Sequence, residues 1–282
     1  MNTRGVTWFG LAFVAAALFA PVAAAQAPLK IFDAHLHYNH EPNPTFALDK
    51  VLETFRRNNV TGIVANSRPN KGTHELVEAK SPNLWVVPFI RPYRTRADVQ
   101  NWSTDPTIYD LIEAEYKRGY YVGVGEFHIH GQAAAAALVK KTVDFAVTHD
   151  LFILAHCDEP ALLILFQHNP KAKIIWAHTG FSTPVPRVRE LLEKYPALIA
   201  ELSYRGGIAD GAGKLAPEWR ELFGKHSDRF VLGSDTWIPE RWASYDQIIG
   251  GYRAWLANLP EDQARRIAHG NAERLFKGKM PE

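Results

Sequence analysis

Cysteine is almost missing from this sequence. The 282-residue chain has one, Cys157, which cannot close an intrachain disulfide, so stability must come from a packed core. No block of five or more basic residues occurs, and a net charge of +2 offers no electrostatic case for binding nucleic acid. No Gly-x-Gly-x-x-Gly follows the first apolar run of the body of the chain, which weighs against a nucleotide-binding, doubly wound sheet. The apolar stretch Val6 to Ala20 is short for a membrane span. It lies between Arg4 and Ala23-Ala24-Ala25, the pattern of a secretory signal peptide cleaved after Ala25. Residues 1–25 are therefore expected to be removed. The mature protein is expected in the periplasm of a Gram-negative source or outside the cell, with no stable membrane association.

What is present is an ordinary globular composition, 46% hydrophobic and 22% charged, in a length that suits one sizeable α/β domain over residues 26–282. Eight short apolar runs alternate with helical patterns: Ile31–His37, Gly62–Asn66, Trp85–Ile90, Tyr121–Phe127, Phe152–His156, Ile174–His178, Leu198–Leu202 and Phe230–Asp235. Between them, Leu48, Val51, Leu52 and Phe55 fall at helical spacing, as do Ile108, Leu111 and Ile112 behind the cap-and-proline pair Asp105-Pro106. Val188, Leu191, Leu192 and Tyr195 repeat the pattern, Pro160 opens a helix, and Ala133–Ala137 reads as helix rather than linker. Tyr245 to Phe276 reads as two closing helices on either side of Leu259-Pro260. Eight strand–helix units without a break in composition predict a single (β/α)8 barrel. Its long loops would be Tyr38–Phe46, Tyr204–Pro217 and Thr236–Ser244.

The first run ends in Asp33-Ala34-His35-Leu36-His37. On a strand the two histidines share a face while Leu36 takes the other, about 7 Å separating them along the backbone. Two imidazoles so placed can close on one metal ion. Other runs also end in ligand-type residues: Glu126 and His128 on the fourth, His156 on the fifth, His178 on the sixth and Asp235 on the eighth. A barrel gathers strand ends at one rim. That much buried imidazole and carboxylate would cost several kcal/mol uncompensated, and a divalent cation is the natural counter-charge. Ligation by His and carboxylate without thiolate suits Zn²⁺ first, with Mn²⁺, Fe²⁺ and Co²⁺ also accommodated.

These segments, with Leu154-Ala155-His156, Trp176-Ala177-His178-Thr179-Gly180, Leu232-Gly233-Ser234-Asp235-Thr236 and Gly270-Asn271-Ala272-Glu273-Arg274-Leu275-Phe276, resemble the amidohydrolase superfamily. The resemblance is specifically to its amidohydrolase-2 branch of metal-dependent hydrolases and related decarboxylases. The resemblance implies that His35, His37 and Asp235 hold one metal, joined by His156. It implies that Asp235 takes the proton from metal-activated water. His178 would be a second-metal ligand or a neutral group that orients water or polarises the substrate. Many binuclear members carry a carboxylated lysine on the fourth strand, but no Lys occurs between Tyr120 and Gln132. Val122-Gly123-Val124-Gly125-Glu126 instead is similar to TatD-type relatives, in which a glutamate bridges two metals. If Glu126 bridges, His35 and His37 hold one ion and His156 and His178 the other. If it does not, the site has one ion and Glu126 fixes a histidine tautomer.

The expected activity is hydrolysis of an amide, ester or lactone bond in a small substrate. Non-oxidative decarboxylation by the same branch is the alternative. At least one of Arg91 and Arg205, which follow the third and seventh runs, is expected to meet an anionic substrate group, the other reading being a salt bridge to Glu41, Glu201 or Glu240. Phe181, Trp237 and Trp242 are expected to wall the pocket. The sequence leaves the number of ions and the oligomeric state open.

Overall fold

A computed structural model describes Met1 and residues 28–279 apart from Pro42 and Thr45; the expected signal segment, beyond Met1, lies outside those residues. Each of the eight apolar runs overlaps a strand: β1 Ile31–Leu36, β2 Val60–Ala65, β3 Trp85–Ile90, β4 Gly123–Ile129, β5 Phe152–Cys157, β6 Lys173–Trp176, β7 Ile199–Glu201 and β8 Phe230–Val231. They lie in the order β1 to β8, every neighbouring pair parallel. A bridge between Asp33 and Leu232 brings the last strand back to the first. The ring is a (β/α)8 barrel.

Both faces of the strands are covered, which is why the runs are nearly continuous in apolar residues. Inside the ring, Phe32, Ala34, Val64, Val87, Phe89, Phe152, Leu154 and Ile175 form one cluster with Phe276 of the C-terminal helix Asn271–Phe276. The Phe276 ring lies 5.1 Å from Phe152, 5.9 Å from Phe32 and 6.0 Å from Phe89, and so plugs the N-terminal end of the barrel. Outside the ring, the helices bury their apolar stripes on a second cluster that includes Leu36, Val51, Phe55, Ile108, Val188 and Leu191. Helix Leu48–Arg57 and helix Val185–Lys194 occupy the predicted spans. Asp105 caps helix Pro106–Tyr116 by accepting from the Thr107 amide, and Asp158 caps Glu159–His168 by accepting from that of Ala161. No helix among the described residues is long and apolar enough to cross a membrane.

Three elements depart from expectation. The alanine run is divided between a 3₁₀ turn, Gly131–Ala135, and the helix Ala137–Thr148. The turn is tied to the neighbouring helix: Asp158 accepts from the Gly131 amide at 2.9 Å and His168 donates to the Ala134 carbonyl at 2.7 Å. Those two bonds override a good helix-forming composition. Regular pairing in β6 stops at Trp176, because His178, Thr179 and Phe181 have left-handed backbones. In β8 it stops at Val231. The chain from Leu232 to Thr236 still follows β1, but partly through side chains.

Candidate metal centre

That side-chain seam places Asp235. Ala34 donates to the Leu232 carbonyl at 2.7 Å and Asp235 to that of His35 at 2.7 Å. Between them the Ser234 amide donates to the Asp33 carboxylate at 2.8 Å. Further up, the Thr236 hydroxyl accepts from the His37 amide and donates to its carbonyl, at 3.1 and 2.8 Å. Asp33 also accepts from Tyr245 of the outer helix at 2.8 Å. Gly233 permits the approach, since a Cβ there would lie 2.5 Å from the His35 Cβ and 2.4 Å from Glu201 Oε1.

His35 and His37 project from one face of β1 as predicted, their ring centroids 5.0 Å apart, while Leu36 enters the outer cluster. One ligand-capable atom from each of His35, His37, Glu126 and Asp235 lies within 4.8 Å of the others, and all four residues are buried. The ring orientations are fixed from behind. His35 Nδ1 donates to Glu201 at 3.0 Å, His37 Nδ1 to the Asn66 carbonyl at 2.6 Å, and His178 Nδ1 to the Ser203 carbonyl at 2.9 Å. Each bond directs the Nε2 lone pair inward, the tautomer a metal ligand needs.

Glu126 lies at the centre, and its two oxygens face different ways. Oε1 faces His156 Nδ1 at 2.9 Å, His35 Nε2 at 3.5 Å and His178 Nε2 at 3.6 Å. Oε2 faces Arg91 Nη2 at 2.9 Å and His37 Nε2 at 3.3 Å. Glu126, His128 and His156 form a second, less buried group of ligand-type atoms beside the first.

The donor set fits a divalent cation. His35 Nε2 and Asp235 Oδ1 are buried and lack hydrogen-bond partners. Such groups cost about 1–3 kcal/mol each unless something meets them. The local field calls for positive charge as well. Burial opposes protonation of His35, yet Asp235, Glu126 and Glu201 together raise its pKa well above the ordinary value. Burial likewise works against ionised Asp235, but the charge of His35 and the nearby imidazole of His37 hold it at about 2. His128, by contrast, is pushed down to about 3 by burial despite Glu126, and stays neutral.

The cluster forms the floor of a cavity of about 610 Å³, lined above by Arg68, Arg96, Val99, Phe181, Tyr204 and Trp237. Phe181 covers His178 and His156, with centroid distances of 4.4 and 4.9 Å. Trp237 donates to the Tyr204 hydroxyl at 3.0 Å.

Two expected pocket residues lie elsewhere. Arg205 donates to the Thr183 carbonyl at 2.6 Å and stacks over Trp219. The left-handed backbone of Tyr204 (φ 51°) accompanies a turn that leaves its own side chain lining the cavity, and Arg205 does not line it. Trp242 packs between Tyr38, Phe55 and Tyr245. Arg91 does line the cavity, but its guanidinium is bound internally, to Glu126 rather than to Glu41, Glu201 or Glu240. Glu41 pairs with Arg68 at 2.8 Å.

Sequence reasoning overlooked Asn66 and the role of Glu201. Both are polar residues at or beside the C-terminal end of a strand, β2 and β7, the same signal that pointed to the ligand-type residues. Asn66 accepts from His37 through its carbonyl, and through Oδ1 from Arg91 and the Glu126 amide at 2.9 and 3.0 Å.

A sequence model described as amidohydrolase matches residues 91–278. No curated protein sequence matches the chain. Among solved structures, the fold is similar to that of an amidohydrolase from Burkholderia multivorans with bound zinc, at 15% identity and a TM-score of 0.58, covering 89% of this chain and 100% of that one. It is similar to a TatD homologue from Escherichia coli K12, at 16% identity and a TM-score of 0.62 over 88% of this chain and 98% of that one. A probable 2-pyrone-4,6-dicarboxylic acid hydrolase from Acinetobacter baumannii, with citric acid bound, matches at 14% identity and a TM-score of 0.57, over 88% and 99% of the two chains.

Proposed function

The chain belongs to the amidohydrolase family of metal-dependent hydrolases, and on that premise we propose that it cleaves an amide, ester or lactone bond in a small anionic substrate at the floor of this cavity. The observation that carries the reading is the convergence of inward Nε2 and carboxylate atoms, two of them unpartnered, beneath an accessible cavity. His35, His37, Glu126 and Asp235 would hold the cation, with His156 and His178 beside them. Zinc best suits the donor set, and manganese, iron or cobalt are the other candidates. When bound, the cation supplies a nucleophile at neutral pH by lowering the pKa of water from about 16 to about 7.

The remaining roles fall to the chain itself. Asp235, ionised at neutral pH, accepts the proton of the attacking water and returns it to the leaving group. His178 Nε2, facing the same floor, orients that water or polarises the substrate oxygen. Trp237 and Phe181 wall the substrate. Its anionic group is met by Arg96, which lies over Trp237 and has no carboxylate partner among the described residues. Arg91 polarises the floor from within.

The test is a panel of p-nitrophenyl esters, anilides and lactones, with and without a carboxylate, assayed on zinc-loaded protein. Asp235→Asn should lower kcat by roughly 10²–10⁴-fold with the fold retained. Carbon dioxide release from a carboxylated aromatic, with no hydrolysis anywhere in the panel, would establish the decarboxylase alternative instead.

Export is part of the same proposal and rests on the composition of residues 1–25. A mature N-terminus at Gln26 in the periplasmic fraction would support it, and a cytoplasmic, unprocessed chain would remove it.

A further inference from the structure

Glu126 has two oxygens, and a bridge between two ions needs both. Only Oε1 faces a set of histidines without a competing cation. Oε2 is taken at 2.9 Å by Arg91 Nη2. Arg91 Nη1 lies beside the His37 imidazole, 2.5 and 3.0 Å from its two ring nitrogens, and also donates to Asn66 Oδ1 at 2.9 Å. This guanidinium is 1% exposed and is anchored on its own backbone as well, since the Arg91 amide donates to Asn70 Oδ1 at 2.8 Å and its carbonyl accepts from Asn70 Nδ2 at 3.0 Å. It is a fixed internal cation, held against Glu126 Oε2 and His37, so that the carboxylate has only Oε1 left to offer an ion and cannot span two.

Resting on the metal-dependent reading above, we propose that Arg91 stands in for a second cation and limits this centre to one metal ion per chain. Charge balance argues the same way. Three buried carboxylates reach the ligand histidines: Glu126, Asp235 and Glu201. One guanidinium and one divalent ion neutralise them, whereas a second divalent ion would leave two positive charges uncompensated in a buried site. Asp33 does not enter this balance, because its carboxylate turns to Tyr245 of the outer helix and to the Ser234 amide. Lysine could not fill the same role, since one ammonium cannot span Glu126, Asn66 and the His37 ring as a planar fork does. The fourth-strand glutamate is thus retained while its bridging function is blocked from the third strand.

Chelator-stripped protein loaded with manganese(II) alone, then freed of excess ion, gives the test. The wild type should carry one ion per chain by elemental analysis and show the six-line resonance of isolated manganese(II). Arg91→Gln should rise to two ions per chain, with the broadened signal of an exchange-coupled pair. If Arg91→Gln does not fold, Arg91→Met, whose stem fills similar volume, is held to the same outcomes. Two ions in the wild type would overturn the inference and leave the hydrolase reading standing. One ion in a folded, uncharged variant would also overturn it, since Arg91 would then not be what excludes the second. No ion in the wild type would remove both readings together.

Discussion

Glu201 contributes nothing to the cavity surface, yet it fixes the ring on which the cluster depends. Its Oε2 accepts from His35 Nδ1 and from the His178 amide, both at 3.0 Å, and from the Ser203 hydroxyl at 2.8 Å. Glu201→Gln should keep the fold but lose roughly 10–100-fold in zinc affinity, measured by competition with a chromophoric chelator. Undiminished affinity would show that His35 needs no carboxylate behind it. The arginines divide just as sharply. Arg94 is locked by Asp98 and Asp105, at 2.9 and 2.8 Å, whereas Arg96 lines the cavity. Arg96→Ala should raise KM for a carboxylated substrate about tenfold or more with kcat little changed, and have no such effect on the uncharged analogue. Arg205→Ala should leave KM where it was, because its guanidinium rests on Trp219.

At the scale of elements, the least regular strand carries the residue assigned to proton transfer. Past Val231 the last strand is joined to the first by main-chain bonds from Ala34 and Asp235 and by the side chains of Asp33 and Thr236. Thr236→Val removes both hydroxyl bonds to His37 while preserving shape. It should cost about 1–3 kcal/mol in urea denaturation and weaken zinc binding in parallel. A stability loss with unchanged affinity would separate the seam from the metal ligands.

This element also shows what the sequence could reveal. The eight runs and the positions of His35, His37, Glu126, His178 and Asp235 were legible, because strand alternation and strand-end chemistry are local properties. The early end of β6 was not, because it depends on left-handed backbones at His178 and Thr179 that only their tertiary partners sustain, and neither was the stop of β8 at Val231. Nor could the sequence show that Arg205 turns away while Arg91 turns in. The sequence offered both the same candidate carboxylates, and packing made the choice.

At the scale of the molecule, the buried charges couple the metal to stability. In chelated protein, burial opposes a proton on His35, but Asp235, Glu126 and Glu201 raise its pKa well above the ordinary 6.5. The stability this proton brings is complete below about 6.5 and is lost as pH rises through the higher folded value. Asp235 behaves in the opposite sense: burial raises its pKa, His35 and His37 bring it down to about 2, and its contribution is lost as pH falls from the ordinary 3.8 towards that value. Chelated protein should therefore have its highest Tm between about pH 4 and 6.5 and decline in alkali. Zinc should abolish the alkaline decline, because the cation replaces the proton; a Tm profile identical with and without zinc would refute this linkage.

Phe276 closes the far end of the ring against Phe32, Phe89 and Phe152. The catalytic chamber is therefore a well rather than a tunnel, and whatever leaves must climb out by the way it came in. Both cleavage fragments then obstruct the next arrival, so each should inhibit by simple competition, and turnover should slow as the larger fragment accumulates.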